Sequence, residues 1–598
     1  MSLLFLDTET FFDKKAGYDL RSLSMVEYVR DGRFKFLGAA MCEEGPPAWF
    51  GPDDLPLSDP GWSELTLVGH NLKFDGSVLA RLGVAAPAQY IDTKALARAV
   101  LGKQVEGYSL SELAVFFDLP PKQDMPDLSD EAKLAEYCRH DVWLCREIYH
   151  RCIDQFPTNQ LPHLDWTIRS FVYPKLVVDT AILDAAVAEE KRRKAALFEG
   201  LGIPKATFSS SKKFTELMAA KGCTLPTKKS PRTGKEIPAL SKADSAFHDL
   251  LNNHDKGIVA LCEARREAKS TIMETRCESL SSVGKTGPWP FDVEYSGAAQ
   301  THRYSGGGAA GGNPQNFVRD SALRAAVLAP PGHVLVVGDF AAVEMRIVAY
   351  LAKDPALIRA IEAGRDVYCD FASKLFKRPV TKADKELRWA GKTAMLAFQY
   401  CVGAMKFQST VKIQTGLSLA DDEADRAVKL YRTQYWRIPQ LWAFLEQQLP
   451  RMARGETGAM GSLPVRLDGG RIRLPSGLML QYPGLRVKGR GRFGKTDWVY
   501  DVWGKKNTRE ESRIYGGKIL ENISQALAGE LAKEVNMRHL QSLVGACHDE
   551  VILAVPEEEA EERKAELEKD MQRAPTWMPR LNLQCEVGCG KTWKEAKA

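Results

Sequence analysis

The segment VLVVGDFAAVEMRI, residues 334–347, decides the fold of the C-terminal half of the chain. Val334–Val337 is a short apolar, β-branched run, which predicts a buried strand. The strand leads through Gly338 into Asp339, and a turn then opens an amphipathic stretch. A carboxylate at the end of a strand is well placed to bind a hard metal ion. The segment therefore predicts a strand–turn–helix unit that presents Asp339.

A second acidic strand end lies far downstream, in ACHDEVILAV, residues 546–555. Asp549 and Glu550 occupy a predicted tight turn just before an apolar strand, Val551–Val555. Either strand end alone could be structural. A carboxylate at a strand end can also serve as a ligand for Mg²⁺, which prefers oxygen.

Between these two segments, RWAGKTAMLAFQY (388–400) shows a four-residue period. Residues four apart lie along one stripe of a helix, so the period predicts a helix with one functional face. The stripe consists of Arg388, Lys392, Leu396 and Tyr400.

A second acidic cluster is predicted near the N-terminus. Leu3–Leu6 is typical of a short strand, and it runs into Asp7 and Glu9. Residues two apart on a strand face the same side, so these two carboxylates would point at one spot. Such a pair is costly unless a cation lies between the two charges.

Two later segments add to this N-terminal cluster. GHNLKFDGSVL (69–79) places Asp75 near the start of a predicted helix. YCRHD (137–141) places Tyr137 and Asp141 four residues apart, on one helical face. A single acidic pair would be a weak signal, but three acidic segments within one domain predict a site.

Composition limits the class of protein. The 598 residues suffice for about three to five domains, and 82 basic against 77 acidic residues give a formal net charge of +5. A protein that only coats nucleic acid is usually more basic. Basic residues concentrate between Lys191 and Arg276, including Lys212 and Lys213, which predicts a phosphate-binding element. The cysteines lack the spacing of a zinc site. The sequence has no apolar run long enough to span a membrane and no secretory leader, and we therefore expect a cytoplasmic protein.

The three C-terminal segments resemble motifs A, B and C of DNA polymerase family A, the bacterial polymerase I type, in the family's order. The matching positions are Asp339, Glu344 and Arg346 in motif A, Arg388, Lys392 and Tyr400 in motif B, and His548, Asp549 and Glu550 in motif C. In motif B, Leu396 and Cys401 stand where the family has Phe and Gly. Further family matches imply contacts with DNA at Arg303, Gln315, Asn316 and Gln525.

The resemblance implies that the chain adds dNTPs to a primer 3′ end on a DNA template. Asp339 and Asp549 would hold two Mg²⁺ ions, with Glu550 beside them and Lys392 stabilising the pyrophosphate. The implied nucleotide site comprises Arg388, Lys392, Leu396, Tyr400, Glu344 and His548.

The N-terminal segments resemble the three exonuclease motifs of the proofreading DEDD superfamily, in the variant that carries a tyrosine. This resemblance implies 3′→5′ removal of nucleotides from a single-stranded end, with Tyr137 orienting the attacking water. Two further Mg²⁺ ions, or Mn²⁺ in their place, would be held by Asp7, Glu9, Asp75 and Asp141.

The expected fold is an α/β and α+β multidomain chain, in which an RNase H-like exonuclease domain precedes a right-hand polymerase domain. The expected boundaries are 1–160 for the exonuclease, 161–290 for linker and thumb, 291–351 for the palm with motif A, 352–455 for the fingers with motif B and 456–598 for the palm with motif C. The expected partners are primer–template DNA and dNTPs, with a helicase, a primase or a single-strand-binding protein as further candidates. A monomer without membrane contact is expected, and the compact layout is similar to that of phage replicases, which act in the host cytoplasm.

Three alternatives stay open at this point. A single-subunit RNA polymerase shares several of the motif positions, although Glu344 and the N-terminal cluster favour DNA synthesis. A nuclease whose polymerase half only binds DNA would need Asp339, Lys392 and Asp549 to be incidental. A single-strand-binding protein would need both acidic clusters to be incidental.

Overall fold

The computed structural model describes residues 2–230, 233–241, 244–251, 253–490, 496–504 and 508–597. Arg232 and Lys242 of the predicted basic region lie outside these ranges. The chain forms two compact units. The first comprises Met1–Thr180, Ser279–Ile347 and Trp442–Ala598, and the second comprises Ala181–Glu278 and Val348–Leu441.

The N-terminal part of the first unit is built on a five-stranded sheet of order β3-β2-β1-β4-β5. Its strands, with a short sixth strand beyond them, are β1 (Leu3–Thr10), β2 (Phe36–Cys42), β3 (Ala48–Phe50), β4 (Thr66–Gly69), β5 (Gln89–Asp92) and β6 (Val177–Val178). The helices are α1 (Met25–Arg30), α2 (Lys73–Arg81), α3 (Thr93–Leu101), α4 (Leu110–Phe116), α5 (Glu131–Ile153) and α6 (Leu161–Val172). The central strand β1 pairs antiparallel with β2 and parallel with β4. Its polar end therefore lies in the middle of the sheet.

The next part of the chain is mostly helical and belongs chiefly to the second unit. Its elements are α7 (Thr180–Gly200), α8 (Lys205–Ser209), α9 (Ser211–Ala220), β7 (Thr227–Lys229), β8 (Glu236–Pro238), α10 (Ser245–Leu251), α11 (Lys256–Lys269) and α12 (Ile272–Gly284). Buried aromatic rings form its core, among them Phe208, Phe214 and Phe247.

The chain then returns to the first unit. The elements are β9 (Val293–Ala298), β10 (Arg303–Gly306), α13 (Ala322–Ala325), β11 (Val327–Leu328), β12 (His333–Phe340) and α14 (Val343–Ala352). The predicted strand–turn–helix unit is thus present as β12 and α14. Leu335 and Val336 in β12 are fully buried, which explains the apolar run that precedes Asp339.

A second helical stretch completes the second unit. Its helices are α15 (Pro355–Glu362), α16 (Val367–Phe376), α17 (Lys385–Phe398), α18 (Ala404–Thr415), α19 (Asp421–Gln434) and α20 (Arg437–Glu446). Phe398 packs its ring against Phe371, Phe407 and Tyr431 and is 1% exposed. As the helical period predicts, Phe398 therefore points into the core, away from the predicted functional stripe.

The C-terminal part belongs to the first unit and contains most of its remaining strands. The elements are α21 (Leu449–Ala453), β13 (Gly458–Ala459), β14 (Arg466–Asp468), β15 (Arg471–Arg473), β16 (Met479–Leu480), β17 (Arg486–Arg490), β18 (Thr496–Gly504), β19 (Thr508–Ile514), α22 (Gly516–Arg538), β20 (Leu543–Cys547), β21 (Glu550–Pro556), α23 (Ala560–Gln572) and β22 (Cys585–Gly590). The sheet that matters for the site has the order β20-β21-β12-β22 and is antiparallel throughout.

The architecture agrees with the mixed α/β and α+β multidomain fold predicted from sequence. Across the described ranges, no helix combines the length and the apolar character needed to cross a bilayer.

Candidate functional site

The register of the central strands brings the two C-terminal acidic segments together. β12 pairs antiparallel with β21, and Asp339 lies opposite Glu550 in this pairing. The backbone N–H of Phe340 donates to the carbonyl oxygen of Asp549 at 3.3 Å. Asp339 and Asp549 are therefore neighbours, although 210 positions separate their numbers in the sequence. We call Asp339, Glu344, Asp549 and Glu550 the palm cluster.

Arg303 joins two members of the palm cluster. Its guanidinium lies 2.8 Å from Glu344 Oε1 and 2.8 Å from Asp549 Oδ1. Burial raises the pKa of Asp549, and the Arg303 charge acts against this shift. The sequence resemblance assigns Arg303 to DNA, whereas the structure shows its guanidinium on the carboxylates themselves.

Glu550 belongs to a separate buried network. Its carboxylate is 2% exposed and lies 3.2 Å from Arg324 Nη1. The indole N–H of Trp593 and the ammonium of Lys597 also donate to it. The Arg324 guanidinium lies 4.0 Å from the centre of the Trp593 ring. Glu550 is therefore held on several sides, which is the environment of a structural carboxylate.

Lys597 connects this network to Asp339. Its ammonium lies 3.0 Å from Asp339 Oδ2. The Lys597 side chain is 13% exposed, and the Asp339 side chain is 36% exposed. Asp339 is thus the more accessible of the two partners, as a ligand for a cation from solution must be.

The predicted motif B helix is present as α17, but its functional stripe is shorter than expected. Arg388 pairs with Asp366 at 2.8 Å, Lys392 lies 5.0 Å from the Trp389 ring, and Leu396 is half-buried. The prediction that Tyr400 lies on this helix is wrong, because α17 ends at Phe398. Tyr400 lies in the turn that follows, and its side chain is buried.

The cause of this helix end is the backbone at Cys401. Cys401 has φ +65°, the left-handed conformation in which helices commonly terminate, usually at glycine. This is the position at which the family pattern has glycine. The family's glycine and the observed backbone therefore have the same physical explanation.

The remaining residues assigned to DNA by resemblance differ in exposure. Gln315 uses its side-chain amide to donate to the Tyr304 carbonyl at 3.1 Å, and Gln525 is half-buried on α22. Asn316 and the exposed turn residue His548 are open to solvent. Lys212 and Lys213 are exposed on α9, in the second unit.

The basic run that begins at Lys191 is paired within the protein. Lys191 contacts Glu278, Arg192 contacts Glu189, and Arg193 contacts Glu190 and Glu267. Lys194 is buried and contacts Glu274 at 2.9 Å. The phosphate-binding element predicted from charge is therefore not supported at these four positions, because glutamates at helical spacing and on a neighbouring helix compensate them.

The N-terminal cluster forms at the polar end of β1. One ligand atom each from Asp7, Glu9 and Cys138 lie within 4.8 Å of one another. Asp75 is attached to the same strand, since the Thr8 N–H and hydroxyl donate to Asp75 Oδ1 at 3.0 and 2.7 Å. We call Asp7, Glu9, Asp75 and Asp141, with Tyr137, the nuclease-like cluster.

Tyr137 and Asp141 come from α5, one turn apart, as predicted. The Lys122 ammonium forms an ion pair with Asp141 Oδ2 and lies 4.4 Å from the centre of the Tyr137 ring. Asp141 Oδ1 is buried and has no hydrogen-bond partner. Lys122 was not singled out from the sequence.

Burial dominates the electrostatics of this cluster. It raises the pKa of Asp7 to about 6, against the opposing Lys122 charge. Burial, with the Asp7 charge adding to it, raises the pKa of Glu9 to about 9. Burial and Asp7 also hold the pKa of Asp75 well above its ordinary value. These shifts mean that ionising the buried carboxylates is costly, and a bound cation would offset that cost.

An apolar pocket adjoins the nuclease-like cluster. Its volume is about 310 Å³, and it is lined by Glu9, Phe12, Phe74 and Met125 together with Lys14 and Arg21. Aromatic faces and basic side chains beside carboxylates suit the base and backbone of a nucleic-acid strand.

Comparison with known proteins supports the resemblance to DNA polymerase family A. The family model "DNA polymerase family A" matches residues 299–458. The DNA polymerase of Bacillus phage SP02 is 26% identical over 488 residues, which are 73% of this chain and 71% of the phage protein. The thermostable DNA polymerase I of Thermus thermophilus is 28% identical over 285 residues, 46% of this chain but only 29% of that relative.

A solved structure shares the fold. The polymerase domain of Pol1 from M. smegmatis, in a complex with DNA primer-template and dNTP, matches with a TM-score of 0.65. The match covers 100% of this chain and 97% of that chain at 18% identity.

Proposed function

We propose that this chain, which belongs to DNA polymerase family A, carries out two reactions at separate sites. At the palm cluster it extends a primer 3′ end with dNTPs directed by a DNA template. At the nuclease-like cluster it removes nucleotides from a single-stranded 3′ end. We also propose the domain boundaries that were expected from the sequence.

The observation that carries the polymerase assignment is the pairing of β12 with β21. This pairing brings Asp339, which lies in the stretch 299–458 that the family model matches, beside Asp549, which lies beyond that stretch. The two carboxylates fit divalent cations, because Asp339 is accessible and burial raises the pKa of Asp549. Bound cations would activate the attacking hydroxyl and neutralise the departing pyrophosphate.

The chain's own residues supply positioning and charge. Arg303 fixes Glu344 and Asp549 through two contacts of 2.8 Å, so both carboxylates keep defined directions. Glu344 would occupy the space of a ribose 2′-hydroxyl and so disfavour ribonucleotides. Arg388 and Lys392, on one stripe of α17, would hold the triphosphate.

The nuclease assignment is supported by the chemistry of its donors. Asp7 and Glu9 are close together and have raised pKa values, and Asp141 has a buried oxygen without a partner. Several buried carboxylates close together are unfavourable when ionised, and a divalent cation bound between them would make their ionised form favourable. Tyr137 would orient the water, and the adjoining pocket would take the end of the strand.

The proposed biological setting is phage replication. It is supported by the likeness to the Bacillus phage SP02 DNA polymerase over most of that protein's length. Primer–template DNA and dNTPs are the proposed ligands, since the similar Pol1 domain is seen with both. A replicative helicase, a primase or a single-strand-binding protein would be further partners.

One set of variants tests both reactions. Asp339→Ala should abolish extension of a labelled primer and leave degradation of a single strand intact. Asp7→Ala combined with Glu9→Ala should do the reverse. Extension that survives Asp339→Ala would disprove the polymerase site, and degradation that survives the double variant would disprove the nuclease site.

Extension with rNTPs tests the proposed choice of sugar. The parent protein should incorporate dNTPs and discriminate against rNTPs, and Glu344→Ala should weaken this discrimination. Equal use of rNTPs by the parent would instead favour an RNA polymerase.

A further inference from the structure

One lysine enters the nuclease-like cluster from a segment without regular secondary structure. Lys122 lies between α4 and α5, directly after Pro120 and Pro121. The two prolines restrict the backbone before it. A ring nitrogen of His140, on α5, lies 3.0 Å from the Pro121 carbonyl oxygen. The backbone from which the Lys122 side chain extends towards the cluster is therefore held in place.

The ammonium of Lys122 serves two residues of the cluster at once. It forms the ion pair with Asp141 Oδ2, and it lies 4.4 Å from the Tyr137 ring centre. The side chains of Lys122 and Asp141 are 22% and 5% exposed. An ion pair this buried holds its geometry better than a pair at the surface.

The consequence for Asp141 lies in its two oxygens. Oδ2 is occupied by Lys122, whereas Oδ1 is buried and has no hydrogen-bond partner. A side chain that holds one oxygen fixes the rotation of the carboxylate and thus the direction of the other oxygen. Groups that orient ligands in this way strongly affect activity in metal sites.

We propose that Lys122 is a positioning residue of the nuclease site, which fixes the free oxygen of Asp141 and the ring of Tyr137 for attack on the terminal phosphodiester. This inference rests on the proposed nuclease function. Met125, from the same segment, lines the pocket beside Glu9. The segment that positions the reacting groups therefore also forms part of the wall against which the strand end would lie.

The test measures single-turnover cleavage of a 3′-labelled oligodeoxynucleotide in Mg²⁺ by the full-length protein. Lys122→Met should lower the cleavage rate by about 10–100-fold. Affinity for the oligonucleotide, measured by anisotropy in Ca²⁺, should stay within about twofold, because strand binding is left to the pocket. Lys122→Arg should restore part of the rate. Primer extension by the same preparations should not change.

Lys133→Met is the matched control. Lys133 forms an ion pair with Asp130 at 2.9 Å, but its side chain is 72% exposed and lies outside the cluster. This variant should cleave like the parent protein.

Two further outcomes decide the inference. A Lys122→Met protein that cleaves as fast as its parent would overturn the inference. If Asp7→Ala with Glu9→Ala abolishes cleavage in that experiment, the proposed nuclease function survives and only the role of Lys122 fails.

Discussion

Lys73 provides a quantitative test of what holds the first unit together. Its ammonium, on α2, lies 2.6 Å from Asp292 Oδ1, 2.8 Å from the Val293 carbonyl oxygen and 2.9 Å from Glu294 Oε1. Lys73 is 5% exposed and Asp292 is fully buried. Because α2 follows strand β4 of the N-terminal sheet and β9 begins at Val293, this buried ion pair joins two distant parts of the sequence.

Replacing Lys73 by Met should cost about 3–5 kcal/mol of unfolding free energy, the usual result of removing one partner of a buried pair. Asp292 would keep only the N–H of Ala309, at 2.8 Å, of the contacts described here. Glu294 would keep Arg98, at 2.9 Å, which limits its share of the loss. Most of the cost therefore comes from Asp292.

Urea unfolding followed by tryptophan fluorescence would measure this loss. The exposed ion pair of Lys133 is the control, and Lys133→Met should cost less than about 1 kcal/mol. Adding Asp292→Asn to Lys73→Met should recover part of the loss, since no unpaired buried charge remains. If Lys73→Met were no more destabilising than the control, the buried ion pair would not contribute more to stability than an exposed one, and the reasoning would be wrong.

The pH range in which the ion pair stabilises the protein follows from the pKa shifts of Lys73 and Glu294. Burial acts to lower the pKa of Lys73, but its carboxylate neighbours raise it above its ordinary value. Burial acts to raise the pKa of Glu294, but Lys73 and Arg98 hold it well below its ordinary value. The stability from Glu294 is present above the ordinary pKa of about 4.3 and is lost as the pH falls, and that from Lys73 is lost only as the pH rises beyond about 10.4. The stability that this ion pair gives the parent protein should therefore be constant between about pH 6 and 9.

Three further predictions concern the turn after α17, the palm cluster and the nuclease-like cluster. Cys401→Gly should raise the free energy of unfolding by about 0.5–1 kcal/mol in urea titrations, because φ +65° is strained for cysteine; a loss of stability would contradict this. Arg324→Met should lower it by about 3 kcal/mol, since Glu550 is 2% exposed, and a loss below about 1 kcal/mol would show that the other donors suffice. Raised pKa values of about 6 at Asp7 and about 9 at Glu9 mean that the metal-free protein loses stability as the pH rises towards 9. Mg²⁺ should therefore raise the melting temperature more at pH 8.5 than at pH 6, and this difference should vanish in the protein carrying both Asp7→Ala and Glu9→Ala.

The strand ends were predictable from the sequence because their signal is local. An apolar run followed by a carboxylate, directly or after one glycine, marks Leu3–Leu6 with Asp7 and Val334–Val337 with Asp339, and the structure has a strand at both places. The spacing of Tyr137 and Asp141 was equally informative, since both lie on α5. In each case the side chains share one element, so the periodicity of that element determines their relation.

The cations that hold the carboxylates were not predictable in the same way. Lys122 meets Asp141 across 19 positions, and Arg303 meets Asp549 across 246. No periodicity links such pairs, and composition gives only a small net charge of +5. That small charge is consistent with extensive internal pairing, as at Arg303, and it does not count against binding of DNA.

The backbone conformation at the motif turns was also not predictable from the sequence. Four non-glycine residues in or beside the motif turns have positive φ, namely Asn71 (+65°), Ala342 (+52°), Cys401 (+65°) and His548 (+55°). Such residues persist only where the surrounding structure determines the backbone, and they cluster at functional sites. Ala342 lies between Asp339 and the first turn of α14, and His548 lies directly before Asp549. At Ala342 and His548 the unusual backbone therefore lies in the turns that present Asp339 and Asp549. Of the four residues, Cys401 is the one at a position where the family pattern has glycine.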